Sequence, residues 1–594
     1  MPKIVLADEG TGAISLDGEW RFKTDADGTG IDKKWFEPGY DDQQWSTITV
    51  PSFWEKSVAK DFDGTAWYRK KFSAAGLTGK SFALSFRGVD DECEVWLNGE
   101  KIGAHTGWNQ PFYFDVTRKV RTVSDNYVAV RVKDWGWDGG MWKSVSLRSY
   151  VSEDDLLKGD LFDKSALSSA DWVKEAVIYE IYLRSFSEDS KITTLESRLP
   201  ELKALGVTCL WLMPINPVGA ENRKGSLGSP YAVKDYLGVN LEFGTKDTFK
   251  KFVQEAHLQG FKVIIDWVAN HTAWDNALVK AHPEWFMKDK DGKIVPPNEH
   301  WTDVAGLNYK SDELREYMKD ALVHWVKEYD IDGFRCDVAD MLPVDFWEYA
   351  RKELDKTKRG LLMLAEGDRP ENHLASFDLT YAWNVNDALV EIAEGKADVT
   401  RLREKLKNEY FTYPRGSLRL RFSENHDKPR AAQILGPGHL AAAALIFTLE
   451  GVPLLYNGQE IGEVHQPSLF EKETIGWGKN RKEQSNMRKF YSKLVTLRRK
   501  NAALMHGQRF PVNSSDDKRM FAFARSYRGD AALVAINLSP KEFKGTLEIP
   551  EVFVNDKGKL NTKPAFPGHD LQLSDGLSAK LTLPAWGYQI WTLK

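Results

Sequence analysis

Four short stretches concentrate the side chains that can move protons or attack carbon. They are DWVANH at 266–271, GFRCDVAD at 333–340, LAEGD at 364–368 and SENHD at 423–427. Between them they carry Asp266, Asn270, His271, Arg335, Asp337, Glu366, Asp368, Glu424, His426 and Asp427. Paired carboxyls suit cleavage of an acetal: one attacks carbon or activates a water, and the other protonates the leaving oxygen. Arg335 precedes Asp337 by two residues, and in a strand that spacing places both on one face.

Such groups work only if a scaffold aims them at one point. Each of the four stretches closes an apolar run, and these runs belong to a longer series. The series is VIYEIYLRSF (177–186), VTCLWLMPI (207–215), KVIIDWVANH (262–271), GFRCDVA (333–339), LLMLAEGD (361–368), FDLTYAW (377–383), LRFSENHD (420–427) and VPLLYNGQE (452–460). Amphipathic segments such as 247–260 and 311–330 separate them. Near-continuous apolar strands fit a parallel sheet covered on both faces, and eight βα units imply a (β/α)8 TIM barrel over 176–504. Barrel sites form at the C-terminal strand ends, where strands three, four, five and seven carry the acids and bases. Asp337 and Glu366 end neighbouring strands, and neighbouring strands stand ~4.8 Å apart. That is close to the ~5–5.5 Å that lets one carboxylate attack, and short of the ~6.5–9.5 Å that admits a water between them. The stretch 272–310 exceeds a plain βα loop and reads as a short inserted subdomain, since loops beyond ~12–15 residues are usually functional.

The flanks differ. Residues 1–150 show short alternating runs broken by turns such as Asn98-Gly99, as in a β-sandwich. A polar, Ser/Asp-rich linker is expected at 151–175, and a second β-sandwich at 505–594 after a last helix at 486–504. Ten of the 22 tryptophans fall in the first 150 residues; most such rings serve a core, and exposed ones stack on sugars. A net charge of −5 without long runs of one sign excludes a nucleic-acid footprint. No stretch approaches ~18 uninterrupted apolar residues, which excludes a membrane-spanning helix. Cys93, Cys209 and Cys336 lie far apart and form no metal-ligand spacing. MPKIVLADEGTG has no signal-peptide core. Cytoplasmic residence and export with a removed leader both stay open, as does the oligomeric state, a homodimer included.

The four stretches, in this order on these strands, resemble the signature regions of the α-amylase family, glycoside hydrolase family 13. MPINP (213–217), SPYAVKDY (229–236), VAGLNY (304–309) and GVPLLYNGQE (451–460) extend the likeness over 176–594. In the N-terminal segment LDGEW, DDQQW, WYRKKF, VWLNGEKIG and GGMWKSV resemble the sugar-binding jelly roll of family 2 glycosidases. The first resemblance implies roles. Asp337 would be the nucleophile, Glu366 the acid/base with a raised pKa, and Asp427 the carboxylate that binds sugar hydroxyls and distorts the ring. Arg335 would keep Asp337 ionised, with Asp266 orienting it. His271 and His426 would bond sugar hydroxyls, Tyr231 would stack on the sugar, and Arg430 matches an arginine of α-1,6-acting exo-enzymes. No cofactor is required by these roles. Asn270 matches a calcium ligand of many amylases and is the single metal candidate; Asp340 and Met341 depart from the pattern that accompanies it. Ala232 stands where exo-acting α-1,6-glucosidases carry Asp. The expectation is a retaining α-glycosidase acting on α-glucans, malto-oligosaccharides or cyclodextrins, nearest to cyclomaltodextrinase or neopullulanase. The alternative is a transglycosylase or glucan isomerase using the same covalent intermediate.

Overall fold

A computed structural model describes residues 12–593 apart from 61, 109–110, 137, 151, 556–557 and 567. The chain forms two compact units, divided between Lys164 and Ser165, with Lys407–Tyr413 grouped with the first.

The first unit is built on two antiparallel sheets. One runs Ala13–Ser15, Val145–Ser149, Phe82–Phe86, Phe112–Asp115, and the other Ser46–Val50, Gly18–Thr24, Gly64–Ser73, Asp125–Asp134, Glu92–Leu97, Glu100–Thr106. Alternation along Gly64–Ser73 shows how the larger sheet is covered on both faces. Ala66 and Tyr68 join the main core with Trp20, Trp54 and Val130, while Trp67 joins Trp35, Trp45 and Trp96 on the opposite side. Most of the tryptophans in this segment therefore serve packing. The expected linker is a packed segment: Glu153–Leu157 and Asp171–Lys174 are helical, and Leu156 and Val173 are buried. Its apolar residues have cores to enter, which the polar composition around them concealed.

The second unit holds a closed parallel barrel. Its strands are Ile178–Ile181, Cys209–Leu212, Lys262–Trp267, Gly333–Cys336, Leu362–Ala365, Leu379–Tyr381, Leu418–Arg421 and Val452–Tyr456, the first pairing with both the second and the eighth. The strands are shorter than the apolar runs that announced them, because each run continues past its last ladder bond into the turn above. SENHD in particular follows the seventh strand rather than lying in it. Period-two alternation then decides which residues reach the top of the interior. Ile178, Trp211, Ile264, Leu362 and Leu364 fill the barrel; two residues further along on the same face stand Glu180, Asp266 and Glu366. On the fourth strand that face reads Gly333, Arg335, Asp337. Gly333 has φ of +150°, and a Cβ there would lie 1.9 Å from the Leu362 carbonyl oxygen, so only glycine lets strands four and five meet at this register.

The insertion after strand three folds around an antiparallel pair, His271–Ala273 with Val304–Gly306, in which His271 opposes Gly306. DKDG at 289–292 is a turn, with Asp289 Oδ1 accepting from the backbone N–H of Asp291 and Lys293. A five-stranded sheet (Gln508–Val512, Met520–Tyr527, Asp530–Asn537, Tyr588–Leu593, Thr562–Phe566) and a three-stranded one (Phe543–Glu548, Ser578–Leu583, Gln572–Asp575) form the C-terminal part. Phe521, Val534 and Ile590 share one core with the barrel helices. Among the described residues no helix is long and apolar enough to cross a membrane.

Candidate active site

Arg335 is the hub of the barrel mouth. It is fully buried, and its Nη1 lies 2.9 Å from both Asp266 Oδ1 and Asp337 Oδ1. Nη2 lies 2.9 Å from Glu366 Oε1, and Nε donates to Tyr381 Oη at 3.2 Å. One planar fork thus spans carboxyls from strands three, four and five, a task suited to guanidinium and not to an ammonium. The ladder of strands four and five pairs Cys336 with Ala365, so Asp337 and Glu366 follow on directly opposite each other. Val338, next to Asp337, is in the left-handed region (φ +36°), an uncommon conformation for a β-branched residue. That turn aims its N–H at Glu366 Oε2, 2.7 Å away.

The electrostatics of this group differ from the sequence expectation. Burial first, then the negative charge of Glu366, push Asp337 well above the usual carboxylate range, against the opposing pull of Arg335. The role implied for Arg335, keeping Asp337 ionised, therefore works against the burial of that carboxyl. Burial also raises Asp266 to about 6, again opposed by Arg335.

A second group closes the opposite side. His426 Nε2 lies 3.1 Å from Asp427 Oδ2 and 2.6 Å from Tyr231 Oη, and Nδ1 lies 2.5 Å from Glu180 Oε1. Tyr231 stacks on the His426 ring and its hydroxyl donates to Asp266 Oδ2 at 3.3 Å. Burial works against a charged His426, but Asp427 and Glu180 outweigh it and lift the group to about 9. His271 is lowered by burial to about 4, which the more weakly acting charge of Asp303 does not offset.

Around these groups lies a pocket of about 240 Å³, lined by Tyr231, His271, Asp337, Glu366, His426 and Asp427. Further lining comes from the loop after strand two (Lys224, Ser229), the insertion (Trp301, Asp303, Val304) and the loop after strand eight (Leu469, Phe470). Those three loops are tied together: Lys224 Nζ pairs with Asp303 (3.0 Å) and donates to the His300 carbonyl (2.8 Å), while Ser226 N–H donates to Glu471 (2.8 Å). The length of the insertion was the sequence signal for Trp301 and Asp303. Glu180, a lone acid inside VIYEIYL, was overlooked although an acid in a barrel strand is itself a signal.

Two expected residues lie elsewhere. Arg430 is not on the pocket wall: it is fully buried, paired with Glu424 (2.8 Å) and donating to the carbonyls of Asn457 and His465. The acid that claims it, Glu424, sits in the same SENHD segment, so the arginine closes that turn. Asn270 reaches His271 Nδ1 at 3.4 Å, and among the described residues no three His, Cys, Asp or Glu side chains are grouped to hold a metal ion. Asp340 faces inward and caps the turn after strand five, accepting from the N–H of Asp368 (2.8 Å) and Arg369 and from Asn372 Nδ2 (2.7 Å). The Asp340 carboxylate is thus taken up by donors of its own chain.

A closed barrel with adjacent strand-end carboxyls on one arginine, facing a third carboxylate, defines a barrel glycoside hydrolase. The chain belongs to the α-amylase family: residues 180–502 match the alpha amylase catalytic domain, and residues 14–162 match the sugar-binding domain of glycosyl hydrolases family 2. It is 28% identical over 385 residues to an α-amylase of Haloarcula japonica, covering 62% of this chain and 56% of that protein's length. It is 25% identical over 429 residues to a cyclomaltodextrinase of Thermoanaerobacter pseudethanolicus, covering 64% of this chain and 73% of the relative. A noncanonic maltogenic α-amylase of Thermotoga neapolitana superposes with a TM-score of 0.66 at 35% identity, over 71% of this chain and 99% of that one.

Proposed function

We propose that the protein is a retaining α-glycosidase that hydrolyses α-glucosidic bonds in α-glucans, malto-oligosaccharides or cyclodextrins. The observation that carries this reading is the arginine fork: Arg335 holds Asp337 and Glu366 at the ends of two adjacent strands, each at 2.9 Å. Asp337 attacks the anomeric carbon as Glu366 passes a proton to the departing oxygen. Attack needs the proton on Glu366 and Asp337 ionised, and the Arg335 charge 2.9 Å from Asp337 supports the second. Water then enters where the leaving sugar stood, gives its proton to Glu366 and releases Asp337. Asp427, half-exposed beside His426, accepts from the hydroxyls of the sugar being cleaved. Arg335 steadies the negative charge on Asp337 before attack and after release.

Asp337→Asn and Glu366→Gln are each expected to lower kcat by several orders of magnitude with an unchanged circular dichroism spectrum. The first-formed product sugar, followed by NMR, should be the α-anomer. Near-native turnover in either variant, or a β-anomer, would refute the assignment. The apolar wall of Leu469 and Phe470 beside the pocket favours a second outcome as well, capture of the intermediate by a sugar hydroxyl; adding maltose to the assay reads it as longer or re-linked products.

A further inference from the structure

The carboxylate chemistry above makes no use of Glu180. It stands on the first barrel strand with none of its side chain exposed. Oε1 meets His426 Nδ1 at 2.5 Å, while Oε2 is buried with no hydrogen-bond partner. A buried carboxylate with a bare oxygen is costly, and an apolar residue of similar size would fill the barrel more cheaply. The charge therefore acts most directly on the His426 ring it touches. We propose that Glu180 is a positioning residue, which fixes the His426 ring and keeps it doubly protonated so that Nε2–H is a donor to the Tyr231 and Asp427 oxygens that border the sugar pocket. The inference rests on the active-site reading above and deepens it.

The surroundings of the ring leave little choice. Glu180 faces it from strand one, Trp211 meets it edge-on from strand two at 5.9 Å, and Asp427 adjoins it on its own segment. Tyr231 links it to Asp266 on strand three, and the Arg335 charge on strand four opposes its protonation. A neutral imidazole beside Glu180 would keep its only proton on Nδ1. Nε2 would then turn a lone pair towards an Asp427 oxygen, acceptor against acceptor. A second proton removes that clash. It also sets one direction along the contacts: His426 donates to Tyr231 Oη, Tyr231 donates to Asp266, and Asp266 shares Arg335 with Asp337. With His426 lifted to about 9, the donor persists through neutral pH and is lost above it.

Glu180→Gln keeps the size and an acceptor for Nδ1–H but removes the charge. In that variant the alkaline limb of kcat/KM should move down by at least one pH unit, with kcat/KM at pH 8.5 reduced ten-fold or more and the acid limb unmoved. Glu180→Asp, which restores a charge, should return the limb most of the way. In a His426→Asn background, adding Glu180→Gln should change kcat/KM less than two-fold. NMR titration of the His426 ring, assigned by loss of its signal in His426→Asn, tests the same claim without turnover, so it stands even if no α-glucan is cleaved. A ring titration and an alkaline limb both unmoved in Glu180→Gln would overturn the proposal, whatever the loss in kcat.

Discussion

Arg335 shows what a single side chain can cost and secure. Three carboxyls share its guanidinium inside the barrel. Breaking a buried ion pair by removing one partner costs ~3–5 kcal/mol, because the other is left buried and charged. Arg335→Met is therefore expected to lose about that much stability at pH 7, measured by urea unfolding. The sign with pH follows from the acids left behind. Their folded pKa values would rise above the unfolded ones, so stability returns as pH falls and they protonate, and the deficit should be smaller at pH 5. At this scale the sequence was informative where residue type and strand position agree. Arg335, Asp337, Glu366, Asp266, His426 and Tyr231 do converge, because strand alternation and the turn after strand two aim them together. Arg430 misled, since a motif records neighbours in the chain while Glu424, six residues away, takes its charge. Glu180 was hidden in a run whose apolar character otherwise announced a strand.

Elements were legible through their periods, and their limits through turns. All eight barrel strands lie within the apolar runs or within two residues of them, yet each ladder stops early, since strand pairing ends where side chains must open out to form a mouth. The insertion was visible only as excess length; the pairing of His271–Ala273 with Val304–Gly306 depends on contacts that no local pattern carries. The loops of the first unit hold a comparable surprise. Burial, with like charges near, raises Glu55 to about 7, Asp90 to about 8 and Asp134 to about 6. Their backbone partners, the N–H groups of Gly139, Asp91 and Gly136, moderate this without cancelling it. Acids raised in the folded state stabilise it most below their ordinary values near 4 and lose that contribution as pH climbs through 6 to 8. The melting transition of this unit should therefore fall between pH 5 and pH 8.5. Asp90→Asn should flatten the fall, and a Tm that rises over that range would exclude the effect.

At the scale of the molecule, the chain writes two units in four passes. It completes most of the first unit by Lys164, builds the barrel as far as Leu406, lends Lys407–Tyr413 to the first unit and then finishes the barrel and the C-terminal sheets. The Phe411 ring packs tilted against Phe162 and its carbonyl accepts from Gly159 N–H, so the first unit is discontinuous in sequence. Composition gave no hint of this return, because six of these seven residues continue the helix Val399–Thr412 without a change of pattern. The three buried thiols are distributed just as unevenly: Cys93 lies in the first unit, and Cys209 and Cys336 lie in barrel strands, the last directly before Asp337. Burial raises all three. They amount to a barcode. In a thiol-alkylation time course under mild urea, intact protein should stay at zero adducts in the mass spectrum. Opening of the first unit adds one mass tag, and opening of the barrel adds two. We expect one-tag and two-tag species to precede the fully tagged chain. A direct jump from zero to three would mean that the two units melt as one.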